Sequence, residues 1–158
     1  GGTYAQIATV GANVTGYNST LLSASTLYYY RVRAYNANGN SGYTNEAWAT
    51  TLPPPPPVPV LVSPANGATG QSLTPTLAWN ASSGATSYGV QLSTSATFAP
   101  TVLNQSGLNA TQYTVASGLS WNTLYYWRAN ATNTSGSTSA WSAAWVFVTA
   151  AGPPPAAP

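Results

Sequence analysis

Apolar and polar residues alternate along most of this chain in short runs. Val, Thr, Tyr and Trp fill the runs, and Gly, Asn, Ser and Pro bound them. No segment sustains a 3.6-residue period, so the pattern predicts strands throughout. In the second part of the chain it predicts strands at residues 60–63, 76–80, 87–93, 101–105, 112–115, 124–133 and 144–149. That succession of short strands within one stretch implies a sandwich of two antiparallel sheets. In the first part the same signals mark residues 4–10, 14–18, 27–36 and 43–51. Alternation along 27–36 puts Tyr28, Tyr30, Val32 and Ala34 on one face and Tyr29, Arg31, Arg33 and Tyr35 on the other. Along 124–133 it separates Tyr125, Trp127, Ala129 and Ala131 from Tyr126, Arg128, Asn130 and Thr132.

These two long strands belong to a repeat. At an offset of 97, Thr26 to Trp48 and Thr123 to Trp145 agree at 10 of 23 positions. The period fits one sandwich plus a linker, which marks tandem modules. Two proline-rich stretches supply the linkers, at residues 53–59 and 151–158. Such runs favour extended polyproline II and act as semi-rigid spacers. An SH3-type ligand is the alternative, and no Arg or Lys flanks either run to support it.

Several residues together resemble the fibronectin type III family. Residues 73–95, with Trp79 and Tyr88, look like strands B and C with their core aromatics. Residues 119–133 look like the E–F corner and strand F, and Leu119 stands six before Tyr125, the spacing of that family's tyrosine corner. Leu22 and Tyr28 share the spacing. The resemblance implies an all-β, immunoglobulin-like antiparallel sandwich, complete over residues 60–150 and partial over residues 1–52. It also implies that the face carrying Tyr28 and Tyr125 points inward. In the partial module nothing matches residues 60–95, where strands A, B and C would lie. Upstream residues of a longer array would supply the absent half, or a neighbouring subunit would add strands.

A simple hairpin centred near Gly39 and Asn40 predicts pairs whose numbers sum to about 79. Arg31 then faces Trp48 and Arg33 faces Glu46. At the equivalent register Arg128 faces Trp145. The expectation is an Arg–Trp cation–π contact in each module, worth about 0.5–1 kcal/mol, and an exposed Arg33–Glu46 ion pair worth about 0–1 kcal/mol. A slip of one residue would instead send Trp48 and Trp145 into the core.

Composition narrows the function. Charged residues make up 3% of the chain, against about 25% in typical domains, so Ser, Thr, Asn and Gln must wet the surface. Arg31, Arg33 and Arg128 are the only cations and Glu46 the only acid, with no His and no Cys. General acid–base catalysis and metal binding both lack their usual groups, so no catalytic residue, metal site or cofactor is expected. Three Arg are too few for nucleic-acid binding through phosphates. No apolar run approaches the roughly 20 residues of a membrane span. The chain shows no signal peptide and no initiator Met, as in a processed chain or an internal piece. Seven Asn-x-Ser/Thr triplets, at Asn13, Asn18, Asn80, Asn104, Asn109, Asn130 and Asn133, are candidate glycan acceptors. A chain this rich in Asn, Ser and Thr also produces them by chance.

Two functional expectations follow. One is a structural subunit of an extracellular or cell-surface fibre, stalk or filament, whose partners are copies of itself. The other is an adhesin or carbohydrate-binding accessory, with Tyr29, Tyr35, Tyr43, Trp121 or Trp141 stacking on glycans or meeting other surface proteins.

Overall fold

The structure is a computed structural model that describes residues 3–116 and 118–154. It divides into two compact units, Gly1–Pro54 and Pro55–Pro158. All regular elements among the described residues are strands.

The first unit contains β1 (Leu27–Tyr30), β2 (Tyr35–Asn36), β3 (Gly39–Asn40) and β4 (Ala47–Thr50). β1 pairs antiparallel with β4, and β2 with β3, so all four belong to one long hairpin. Residues 4–10 and 14–18, expected as strands, form no strand ladder among the described residues. Alternating side chains alone do not make a strand, since the backbone groups need a partner.

The second unit contains β5 (Leu61–Ser63), β6 (Ala68–Gln71), β7 (Thr76–Trp79), β8 (Ser87–Ser93), β9 (Leu103–Leu108), β10 (Gln112–Thr114), β11 (Leu124–Thr132) and β12 (Trp145–Thr149). One sheet has the order β10-β7-β5 and the other β6-β12-β11-β8-β9. All pairings are antiparallel except β12 with β6. The pattern did not predict β6; its sequence, Ala-Thr-Gly-Gln, lacks the usual strand formers. The two sheets share one core. Leu77 and Trp79 of β7 meet Val90 and Leu92 of β8, Trp127 of β11 and Phe147 of β12. Trp79 and Tyr88 touch across the layers with ring centroids 5.7 Å apart. Tyr125, Trp127, Ala129 and Ala131 are all buried, as period-2 alternation requires of an inward face.

The corner that opens β11 is a local device. The Ser120 amide donates to the Tyr125 hydroxyl (3.1 Å), and Leu119 is buried beside it. The first unit repeats it, with the Ser23 amide donating to Tyr28 (2.9 Å) and Leu22 half-buried. A threonine latches each corner to the last strand. Thr149 accepts the Thr123 amide and donates to the Ser120 carbonyl; Thr51 does the same with Thr26 and Ser23.

Candidate functional site

The charged and exposed aromatic side chains gather on the outer faces of the two hairpins. Their placement follows from how each hairpin is paired. In the first unit Asn36 faces Gly39, Ala34 bonds Ser41, Val32 bonds Thr44, and Tyr30 faces Ala47. The register therefore shifts by two residues between the Asn36–Gly39 pair and the Tyr30–Ala47 pair. Two single-residue bulges cause the shift, one at Gly42–Tyr43 and one at Asn45–Glu46. Hydroxyls bridge the bulges: Ser41 Oγ accepts the Ala34 amide (2.9 Å) and Thr44 Oγ1 accepts the Val32 amide (3.1 Å). The second unit repeats this with Ser139 on Ala131 (3.0 Å) and Ser142 on Ala129 (3.1 Å).

The turn differs by one residue. Asn36 and Gly39 enclose two residues, whereas Asn133 and Ser137 enclose three. Gly39 (φ 131°) and Gly136 (φ 82°) occupy backbone conformations that disfavour a side chain. The offset between units is thus 97 before the turn and 98 after it. Trp145 corresponds to Ala47, and Trp48 corresponds to Val146.

The actual turn positions and the bulges overturn the expected Arg–Trp pairs. Trp48 lies opposite Tyr29, not Arg31, and stands 69% exposed. Trp145 lies opposite Trp127, not Arg128, and meets its ring edge-on (6.3 Å, 89°) on the inward face. The one-residue slip weighed for both tryptophans occurs for Trp145 alone. Arg33 and Glu46 form no ion pair among the described residues, because the bulge between Thr44 and Ala47 shifts Glu46 out of register. Glu46 instead accepts a hydrogen bond from the Tyr4 hydroxyl, which raises the Tyr4 pKa above its ordinary value; partial desolvation acts in the same direction.

The arginines do stack on rings, on those carried by the bulges. The Arg31 guanidinium lies 4.0 Å from the Tyr43 centroid and 4.0 Å from that of Tyr4. Arg33 shares Tyr43 at 4.9 Å. Arg128 lies 3.9 Å from Phe98 and 4.9 Å from Trp141. Tyr43 and Trp141 are equivalent at offset 98, so the contact recurs, with different partners from those expected. Each such stack is worth about 0.5–1 kcal/mol when exposed and about 2 when desolvated. Arg128 has a further anchor, since its Nε (2.9 Å) and an Nη (2.7 Å) both donate to Gln91 Oε1. Gln91 in turn donates to Asn104 (3.2 Å), so a polar row crosses β11, β8 and β9. Burial lowers the Arg128 pKa, yet the guanidinium remains charged.

Of the other aromatic candidates, Tyr29, Tyr35, Tyr43 and Trp121 are exposed, and Trp141 is half-buried over Arg128. The Tyr35 hydroxyl reaches the Val10 carbonyl at 3.5 Å. Sequence reasoning missed Tyr4, Phe98, Gln91, the bridging Ser and Thr residues and the Thr51 and Thr149 latches. A shift of offset from 97 to 98 after the turn aligns Ser41 with Ser139, Thr44 with Ser142 and Thr51 with Thr149, and was the available signal. The described residues contain no cluster of His, Cys, Asp or Glu suited to a metal ion.

Solved structures resemble this arrangement. The chicken CNTN1 FN1–FN3 domains match with a TM-score of 0.52 at 17% identity, over 85% of this chain and 46% of that one. An α-L-rhamnosidase from Dictyoglumus thermophilum matches with a TM-score of 0.50 at 15% identity, over 59% of this chain and 12% of that one. An Fn3-like protein from Clostridium thermocellum is 29% identical over 58% of this chain and 91% of its own, with a TM-score of 0.46. No protein-family model and no curated protein matches the sequence. The fold of this chain is that of the fibronectin type III domains.

Proposed function

We propose that the chain is a non-catalytic structural module of an extracellular or cell-surface tandem-repeat protein, a fibre, stalk or filament subunit that associates with copies of itself. The observation that carries this reading is the open inner face of the first hairpin. Val32 is 66% exposed there, whereas its equivalent, Ala129, is fully buried. An apolar face left uncovered favours association with a further sheet. The near absence of charge adds to this, because little desolvation of charge opposes lateral packing. None of the usual acid–base groups is available for catalysis beyond Glu46 and the tyrosines. No helix among the described residues is long and apolar enough to cross a membrane. Light scattering over a concentration series, with electron microscopy of the same samples, tests the reading. Mass that rises with concentration and rod-shaped particles are expected; a monodisperse monomer at the highest concentration overturns it.

An adhesin or carbohydrate-binding accessory is the second reading. The cross-strand pair of Tyr29 and Trp48, directly opposite and both exposed, favours it, because such rings stack on the faces of sugars. A glycan array decides: retention of one glycan class that Trp48→Ala abolishes would replace the structural reading.

A further inference from the structure

Three departures from regular strand structure meet at one place on the outer face of the second unit. The first is Gly89, in the middle of β8. Glycine weakens a strand interior and often marks a place where something must come close. Its φ is not positive, so backbone conformation does not call for a glycine there. Space does, because a Cβ at that position would run into the side-chain amide of Asn130. The second is a bulge in β9. Tyr88 pairs with Leu108 and Val90 with Gln105, so β9 carries one residue more than β8 over this stretch. Gly107 sits in the bulge at φ 70°. Bulges of this kind re-aim side chains and recur beside binding sites. The third is the returning arm of the hairpin, which brings in Trp141 between the bridging Ser139 and Ser142. Together they leave a depression of about 190 Å³, floored by Gly89 and walled by Asn104, Asn130, Thr138 and Trp141.

The lining fixes the chemistry of an occupant. It holds no charged side chain. Arg128, the only charged side chain of the second unit, is already engaged by Gln91 and by the Phe98 ring. The matching ligand is therefore neutral. Asn104 Oδ1 accepts from Gln91, which leaves Asn104 Nδ2 free to donate. The Asn130 side chain makes no hydrogen bond among the described residues, so it offers both a donor and an acceptor. The Thr132 and Thr138 hydroxyls bond each other at 2.9 Å and keep spare lone pairs. Trp141 adds one half-buried ring. A flat apolar wall beside mixed donors and acceptors suits a sugar ring, whose faces are C–H and whose rim carries hydroxyls. The volume is small against the roughly 300–1,000 Å³ of pockets for drug-sized ligands, which limits the occupant to one ring. The first unit lacks this chemistry. Arg33 stands there in place of Asn130 and Tyr43 in place of Trp141, and the two stack on each other (4.9 Å).

We propose that this depression binds one neutral pyranose unit, stacked on Trp141 and hydrogen-bonded by Asn130 and Asn104. The ligand class is that of the second reading above, but the residues differ. The site therefore stands or falls apart from the Tyr29–Trp48 pair and from fibre formation.

Nuclear magnetic resonance titration of the 158-residue chain tests it, with the methyl glycosides of glucose, galactose, mannose and N-acetylglucosamine as probes. At least one is expected to shift the Gly89, Asn104 and Asn130 amide signals saturably, with half-saturation on the order of 1–10 mM. Added salt should leave that value unchanged, because no charge takes part. Asn130→Ala should weaken binding about tenfold, with the buried Phe147 amide as the folding control. Thr138→Val, on the exposed rim, should weaken it about threefold and serves as the second variant should the first lose the Phe147 signal. No saturable shift at those amides with any of the four probes overturns the proposal, as does unchanged affinity in a folded variant of each kind. Shifts confined to Tyr29 and Trp48 overturn it too, and support the other site.

Discussion

The two hairpins share their design and differ in their surroundings. Both have a tyrosine corner, a threonine latch, two hydroxyl-bridged bulges and an arginine stacked on a bulge aromatic. In the second unit the hairpin lies between β6 and β8 and over β7, and its inner residues are buried. In the first unit Tyr28 and Tyr30 are only half-buried and Val32 is exposed. The hairpin's own hydrogen bonds are therefore set locally, and they keep their pattern whether or not a sandwich closes around them. Burial, and the stability that comes with it, depends on the other strands.

This contrast predicts unequal costs for equivalent substitutions. The largest effect is expected at the centre of the core. Trp127→Ala should cost about 3–5 kcal/mol, whereas Tyr30→Ala at the equivalent position should cost about 1 kcal/mol or less. Urea denaturation followed by fluorescence reads the first, because only Trp48 of the six tryptophans lies in the first unit. Equal costs would erase the contrast.

Next come the latches. Thr149→Val leaves the Thr123 amide and Ser120 carbonyl without their partner in a buried setting and should cost about 1–3 kcal/mol. Thr51→Val should cost about 0.5–1.5 kcal/mol, because water reaches the first corner. Parallel denaturant midpoints for the two variants check this.

Arginine replacement should show a smaller asymmetry. Arg128→Lys loses the paired donation to Gln91 and the planar stack on Phe98, for about 1–2 kcal/mol. Arg31→Lys loses stacking at an exposed site, for about 0.5 kcal/mol. Calorimetric melting of each variant measures the difference.

The smallest effect is confined to the first unit. The Tyr4 hydroxyl is held protonated by Glu46, so its pKa in the folded chain lies above its ordinary value. Its contribution is complete below the unfolded-state value of about 10. It is lost as pH rises through the higher folded value. Ultraviolet titration of the chain minus its Tyr4→Phe variant should show a late-ionising tyrosine. Glu46→Gln should move that titration back toward the ordinary value.

Much of this was legible in the chain. Alternation located β7, β8, β10, β11 and β12, and Leu119 and Tyr125 announced the corner, because these features depend on neighbours in sequence. The Arg–Trp pairing was not legible. It required the actual turn positions and the bulges, and one additional residue between Asn133 and Ser137 set Trp145 inward while Trp48 stayed outside. Side-chain direction flips with each residue of register, so a count wrong by one reverses the answer. The stacks of Arg31 on Tyr4 and Arg128 on Phe98 join residues far apart along the chain, and no local pattern encodes them.

By itself, then, the sequence determined the strand-forming segments, the faces of the long strands and the tandem repeat, since period-2 alternation and corner spacing act over a few residues. Tertiary structure alone decided which rings meet the arginines, which hairpin tryptophan packs inward and which strand-like segments of the first unit remain unpaired. Those outcomes depend on bulges, turn length and the presence of a neighbouring strand, and the free energy of a strand lies in its partners.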